Sequence, residues 1–318
     1  MRRALVRELG RAPEVEEAAD PVGAGAREVV VDVLAVPLNP IDINVCAGRF
    51  YGGHPELPFV PGCEGVGRVA ESDELVWIHG AGLGVKRDGT LAERVAVRAE
   101  ALFSVPAGAD PALAGALGIA GVAGWLPVAW RTPVRKGESV LVLGATGTVG
   151  LVALQAARFL GAGRVVAAGR SRAGLQRARE AGADAVVALD AHGDQVEAFR
   201  EACGGDGPTL IVDPLWGEPL AAALEAAAPG ARAVNIGQSA GAEATLASAW
   251  VRGKQLELLG YSNFAVPRDV LEREYGRLVE AAVAGEVVVD VERVPLEQVA
   301  DAWRRQAEGA GKKLVVEL

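Results

Sequence analysis

Val140-Leu-Val-Leu-Gly144-Ala-Thr-Gly147-Thr-Val-Gly150 reads as a strand, a glycine turn and the first turn of a helix, in immediate succession. Ala145-x-Gly147-x-x-Gly150 has the spacing of a dinucleotide-binding turn with Ala in its first position. A glycine at 147 lets the backbone approach a pyrophosphate, and a glycine at 150 lets the helix lie close against the strand. The free N–H groups of the first helical turn then meet the negative charge. Gly144, Ala145, Thr146, Gly147, Thr148, Val149 and Gly150 are therefore expected to hold a dinucleotide.

On either side of this turn the texture differs. From residue 138 onward, apolar runs at 139–143, 164–168, 185–189, 209–213 and 232–236 alternate with helical patterns at 149–160, 172–181, 195–202 and 218–228. That alternation predicts βαβ units and a parallel sheet covered on both faces. The first third is rich in β-branched runs and turn residues, with strands expected at 28–36 and 91–97 and an extended segment around Gly62, Gly65 and Gly67. After Tyr261 come two amphipathic helices, 268–284 and 296–308, and a closing strand at 313–317. The expected architecture is α/β: a doubly wound parallel sheet at 119–262, inserted into a β-rich outer domain made from 1–118 and 263–318.

The second strand of the alternating region ends in Gly169-Arg170-Ser171-Arg172. A site that prefers NAD places Asp or Glu about 20 residues after the glycines, to hold the ribose hydroxyls. Here Arg170 occupies that place, and its guanidinium would accept a 2′-phosphate through paired hydrogen bonds. Arg170, Ser171 and Arg172 thus predict NADP(H); the bland alternative is an arginine that solvates a helix end.

Composition excludes several classes. With 41 acidic against 32 basic residues among 318, the net charge is −9, which argues against a nucleic-acid partner. Three scattered cysteines (Cys46, Cys63, Cys203) form no disulfide framework, so a reducing, cytoplasmic setting is expected. Three histidines (His54, His79, His192) make a multi-histidine metal site unexpected. The uncharged run 111–130 has the length of a membrane span, but Pro111 and Pro127 bracket it and Gly115, Gly118, Gly121 and Gly124 recur through it. A close-packed internal helix at a domain junction is the expectation, without a membrane.

Several further segments bear on identity. They are Leu38-Asn39-Pro40-Ile41-Asp42, Gly48-Arg-Phe-Tyr51, Pro58-Phe-Val-Pro-Gly62-Cys-Glu64-Gly65-Val-Gly67, Lys136-Gly-Glu-Ser-Val140, Glu180-Ala-Gly-Ala-Asp184, Pro229-Gly-Ala-Arg-Ala-Val-Asn-Ile236-Gly237, Leu296-Glu-Gln-Val-Ala300 and Gly311-Lys-Lys-Leu-Val315. Together they resemble the zinc-independent quinone oxidoreductase branch of the medium-chain dehydrogenase/reductase superfamily, over nearly the whole chain. The resemblance implies a Rossmann domain within a GroES-like catalytic domain, with Ile236 and Gly237 at the nicotinamide end. Zinc-dependent relatives carry a Cys three residues before the aspartate and a His in a Gly-His-Glu triplet. Asn39 and Cys63 stand at those positions, so no metal is expected. Three departures stand out: the stretch between Gly67 and Gly89 is shorter, Ala123-Gly124 replaces a common Thr-Ala before Trp125, and Gly174 replaces a lysine.

Without a Lewis acid, hydride transfer needs an acceptor that is already electrophilic, and the resemblance implies a small-molecule quinone or α,β-unsaturated carbonyl. Asn39 and Asp42 are expected to organise the nicotinamide side, with helix capping as the alternative. Tyr51 is expected to position or protonate the substrate oxygen, with a plain interfacial aromatic as the alternative. Trp125, Tyr261 and Phe264 are expected to line the substrate pocket, and Asn263 reads better as part of a hinge. Three other readings are weighed. A short-chain dehydrogenase fails, because no lysine follows Tyr51, Tyr261 or Tyr275 by four residues. A zinc-free alcohol dehydrogenase-like enzyme and a non-catalytic NADPH-binding protein stay open. Gln255–Leu259 would pair edge to edge in a homodimer, although an internal strand would read the same.

Overall fold

A computed structural model describes residues 1–21, 28–190 and 193–318. In chain order the first part contains β1 (Arg2–Leu5), β2 (Glu14–Glu17), β3 (Glu28–Pro37), α1 (Pro40–Cys46), β4 (Glu64–Val69), β5 (Leu75–His79), β6 (Arg94–Arg98), β7 (Leu102–Ser104) and α2 (Pro111–Ala116). Next come α3 (Ile119–Leu126), β8 (Ser139–Val142), α4 (Thr148–Phe159), β9 (Arg164–Gly169), α5 (Arg172–Glu180), β10 (Ala185–Ala188) and α6 (Gln195–Ala202). They are followed by β11 (Leu210–Asp213), α7 (Gly217–Ala226), β12 (Arg232–Asn235), α8 (Ser248–Gly253) and β13 (Glu257–Gly260). The chain closes with α9 (Arg268–Val283), β14 (Val291–Pro295), α10 (Val299–Glu308) and β15 (Lys313–Glu317).

These elements form two units. Unit 1 comprises Met1–Ile119, Tyr275–Val283 and Val289–Leu318; unit 2 comprises Ala120–Glu274 and Ala284–Val288. The division falls at Ile119/Ala120, and Asn263–Glu274 goes with unit 2, where the sequence pattern placed the return to the outer domain at 263. The reason lies in α9: one continuous helix carries the chain across, so no turn signal marks the crossing.

Unit 1 is built on a sheet of order β14-β15-β3-β4-β5-β7, with β6 also paired to β3. Only β14 and β15 run parallel within it. The ten-residue β3 is its spine. Its inward side chains Val31, Val33 and Val36 join Leu38, Phe59, Ile78, Leu91, Val97 and Leu314 in one apolar cluster. Each such aliphatic side chain contributes roughly 1.5–3 kcal/mol when fully buried. A register shift between Val33 and Ala35 interrupts the pairing of β3 with β4, while its other edge takes β6 over Glu28–Asp32 and β15 over Ala35–Pro37. The strand expected at 91–97 starts only at Arg94, because Leu91 and Ala92 instead meet the amino-terminal strand: the Ala4 N–H donates to the Leu91 carbonyl.

Unit 2 has a parallel sheet of order β10-β9-β8-β11-β12-β13, the doubly wound arrangement expected from the alternating pattern. The order reverses between β8 and β11, and sheets of this kind take their ligands outside the carboxyl ends of the strands at such a reversal. Val140, Leu141, Val142, Val165, Val166, Ile211 and Val212 are completely buried, which explains their unbroken apolar runs. At the opposite end of the sheet, Arg232 holds both carboxylate oxygens of Glu138 at 2.7 Å, tying β12 to the lead-in of β8.

The uncharged run 111–130 is two short α-helices, the second running on into a π-helical turn at Pro127–Arg131, rather than one helix. Asp110 caps α2 through the Leu113 N–H at 3.0 Å. The chain breaks at Leu117-Gly118, and α3 begins anew at Ile119. A methyl group on Gly118 would overlap the Glu64 carboxylate, so this break is where a buried side chain passes the backbone. Among the described residues, no helix is long and apolar enough to cross a membrane.

Candidate functional site

The glycine turn lies wholly within unit 2. Its entry is fixed by backbone: the Leu143 N–H donates to Val212 O at 2.9 Å, and the Ala145 N–H to Ala168 O at 2.9 Å, so both neighbouring strands hold it. Gly144 takes φ +60°, a left-handed conformation, with Pro214 and Leu215 about 3.0 Å from where a Cβ would stand. Gly150 sits under the turn; a Cβ there would lie 2.5 Å from Gly144 O and 2.6 Å from Ala145 Cα. Gly147 is the opposite case. It is exposed, and its missing Cβ would have nothing nearer than 4.0 Å.

Gly147 is also the N-cap of α4, and no side chain caps that helix. The first-turn N–H groups of a twelve-residue helix therefore point, uncapped, past an open glycine. This cradle fits the pyrophosphate of a dinucleotide, as the spacing predicts.

Arg170, Ser171 and Arg172 follow β9 and are all exposed. Ser171 caps α5, its Oγ accepting the Gly174 N–H at 3.1 Å. The structure also explains Gly174: a Cβ there would lie 2.5 Å from Cβ of Thr146, so α5 packs its first turn directly on the glycine turn. A lysine at 174 has no room. Arg170 and Arg172 are the exposed cations beside this turn.

Ile236 and Gly237 stand at the carboxyl end of β12, both partly buried. They are placed by residues that pattern reading did not single out. Asp213, buried at the end of β11, accepts the N–H groups of Leu215 at 2.9 Å and Trp216 at 2.8 Å. The Asn235 amide donates to Asp213 Oδ2 at 2.8 Å and to Gly237 O at 2.7 Å. Burial pushes the Asp213 carboxyl above the usual range, while the hydrogen bonds from Trp216, Asn235 and Leu215 pull it back. The Asp213-Pro214 pair at a strand end was the available signal for this turn.

The aromatic residues expected in the pocket divide three ways. Trp125 is 0% exposed, its Nε1 donating to Glu274 Oε2 at 3.0 Å and its ring 5.6 Å from that of Phe159. It is a core residue of unit 2, and its assignment to an open pocket is corrected. Tyr261 is partly buried and donates to Asn263 Oδ1 at 2.6 Å; burial raises its phenol pKa. Phe264 is 57% exposed.

In unit 1, Asn39 and Asp42 are each only 1% exposed. Asp42 reaches back to the Asn39 N–H at 2.8 Å, a capping interaction at the start of α1, and also accepts the Cys63 N–H at 2.8 Å. The Asn39 amide bridges two buried charges. Its Nδ2 donates to Glu64 Oε1 at 2.8 Å, and its Oδ1 accepts from Lys313 Nζ at 2.6 Å. Glu64 Oε2 further accepts from Trp77 Nε1 at 2.8 Å and from the Ile119 N–H at 2.7 Å. Trp77 stacks on Tyr275, whose hydroxyl donates to Ala114 O at 3.0 Å. Both the Asn39 and Asp42 side chains are enclosed, and the capping expected as the alternative role is present at the start of α1. Tyr51 is the contrary case, 87% exposed, its ring 4.4 Å from that of Phe50.

The same cluster bears on metal. Burial, with Asp42 and Glu64 alongside, holds the Cys63 thiol well above its ordinary pKa, and the Asn39 amide is committed to Glu64 and Lys313. These residues do not fit a zinc centre: the Asp42 and Glu64 oxygens are taken up by N–H donors, and a single protonated thiol does not complete a four-donor set. Among the described residues, no group of three His, Cys, Asp or Glu is arranged to hold a metal; His192 lies outside them.

Comparison with known proteins bears on both units. Residues 25–107 match the alcohol dehydrogenase GroES-like domain model, and residues 148–282 match the model described as zinc-binding dehydrogenase. The chain is 29% identical over 262 residues to quinone oxidoreductase-like protein 2 of Rattus norvegicus, covering 81% of this chain and 74% of the relative. Among solved structures it is similar to an NAD-dependent alcohol dehydrogenase, with TM-score 0.88, 29% identity and full coverage of both chains. It is similar also to the quinone oxidoreductase of Thermus thermophilus, solved alone and with NADPH. There the TM-score is 0.81 and the identity 28%, again with full coverage of both chains.

Proposed function

Because this chain belongs to the medium-chain dehydrogenase/reductase family, as an oxidoreductase of the quinone oxidoreductase type, we propose that it is an NADPH-dependent, metal-free reductase of quinones or α,β-unsaturated carbonyls. The observation that carries the cofactor side is the open, uncapped turn at Gly147, with Arg170 exposed at the end of the next strand. When bound, the nicotinamide supplies the hydride. The chain's own share is placement: Gly144–Gly150 would hold the pyrophosphate, Arg170 and Arg172 the 2′-phosphate, and Ile236 and Gly237 the far end. In unit 1, Tyr51 is an exposed aromatic suited to a planar conjugated acceptor. Asn39 and Asp42 would act indirectly, by fixing α1 and the Cys63 backbone. The likeness to quinone oxidoreductase-like protein 2 and to the Thermus quinone oxidoreductase supports the quinone side of this reading.

A panel of 1,4-quinones, enones and alkenals with NADPH tests it. Steady NADPH consumption with at least one conjugated acceptor, and none with saturated ketones, is the expected result. The sealed state of Asn39 and Asp42 favours a second reading, a dinucleotide-binding protein without turnover. Tight NADPH binding with no turnover anywhere on the panel would decide for it.

A homodimer is also proposed. β13 pairs with β12 on one side only, and its Leu258 is 40% exposed, so a second copy would complete the sheet edge. Sedimentation should give twice the chain mass, falling to the monomer when Leu258 is replaced by Pro; a wild-type monomer at all concentrations refutes it.

A further inference from the structure

Trp216 holds a backbone conformation that belongs to glycine. Its φ and ψ are 59° and −164°, outside the left-handed region that other L residues visit in turns. The residues around it maintain this. Asp213 accepts the Trp216 N–H, the Ala240 N–H donates to Leu215 O at 2.8 Å, and Gly217, at φ +66°, follows at once to begin α7. Strain of this kind persists where the surroundings enforce it, and it concentrates at ligand sites.

Its position gives it a use. The turn Pro214-Leu215-Trp216 leaves the carboxyl end of β11, at the point where strand order reverses, and packs on Gly144. The indole is only partly buried. It packs against the apolar cluster that joins Val166 and Ala168 of β9, the strand leading into Arg170, to Leu141, Ile211 and Leu220. We propose that Trp216 forms an aromatic wall for the adenine ring of the bound dinucleotide, a positioning and affinity role that no hydrogen bond of the site supplies. Glycine would relieve the backbone and leave no such wall. The inference rests on the dinucleotide reading above, and it identifies which residue flanks the base. A base–aromatic stack is worth about tenfold or more in affinity.

The test uses 2′,5′-ADP and reduced nicotinamide mononucleotide as separate probes of the two halves, with melting temperature as the control. In Trp216→Gly the melting temperature should hold or rise, while affinity for 2′,5′-ADP falls about tenfold and that for the mononucleotide stays. Trp216→Phe should keep most of the affinity and lose the tryptophan quenching that 2′,5′-ADP produces in the wild type. Unchanged 2′,5′-ADP affinity in Trp216→Gly overturns the proposal, as does an equal loss for both probes. If the wild type binds NADPH and the glycine variant binds it equally, only this inference fails. If the wild type binds neither NADPH nor NADH, the dinucleotide reading fails with it.

Discussion

Replacing Glu64 by Ala is expected to remove about 3–5 kcal/mol of stability, the cost of stranding one partner of a buried ion pair. The pair is mediated. Lys313 Nζ bonds Leu38 O at 2.9 Å and Asn39 Oδ1 at 2.6 Å, and the Asn39 amide passes the contact on to Glu64. Without the carboxylate, the Lys313 ammonium is left in the core, and the Asn39 Nδ2, Trp77 Nε1 and Ile119 N–H groups all lose their acceptor. Glu64→Gln should also be costly, because its NH2 would face donors on at least one side. Urea titration of the wild type and both variants checks this. Loss of less than about 1 kcal/mol in Glu64→Ala would mean the cluster is not an energetic centre.

The cluster has a pH signature whose sign can be worked out. Burial pushes Glu64 up from 4.5 to about 7, against the pull of Lys313 and of the N–H donors around it. Between those values the folded chain retains a proton that the unfolded chain has released. Stability from this group therefore falls as pH rises from 4.5 toward 7, and is flat above. The melting temperature should follow, and Glu64→Gln should flatten that slope. A slope identical in the two proteins would place the titration elsewhere.

Arg170→Ala is expected to weaken NADPH binding by roughly ten- to a hundredfold and NADH binding by less than about twofold, the range for charge-assisted hydrogen bonds to one phosphate. Arg170 is exposed, so the difference should shrink as salt is raised. Arg172 is exposed at the start of α5, and the double variant should remove what preference remains. Calorimetric titration with both dinucleotides reads the effect; an equal loss for NADPH and NADH sinks the phosphate assignment. Ser171 carries no such expectation, since its hydroxyl already caps α5.

The parts legible in the chain were those set by near neighbours. The glycine spacing at 144–150, the strand–helix alternation after 138 and the closing strand at Lys313–Glu317 all appear as read, within a residue or two at their ends. Short strands of unit 1 escaped. β5 is five residues of Leu-Val-Trp-Ile-His between turn signals, and its strand character comes from pairing with β4 and β7. Gly174 read as a lost lysine; only its distance from Thr146 shows it to be a packing requirement.

Residue order alone was enough for the local geometry: a glycine turn at the start of a helix, a cation after the second strand, and a parallel sheet between two parts of a β-rich domain. Those follow from periodicities of about two and 3.6 residues and from glycine's conformational freedom, which act over a few positions. Long-range packing was needed to enclose Asn39, Asp42 and Trp125 while leaving Tyr51 open. Burial depends on what packs alongside. Asn39 meets Lys313 across 274 positions, and Trp125 meets Glu274 across 149, separations that no local pattern encodes.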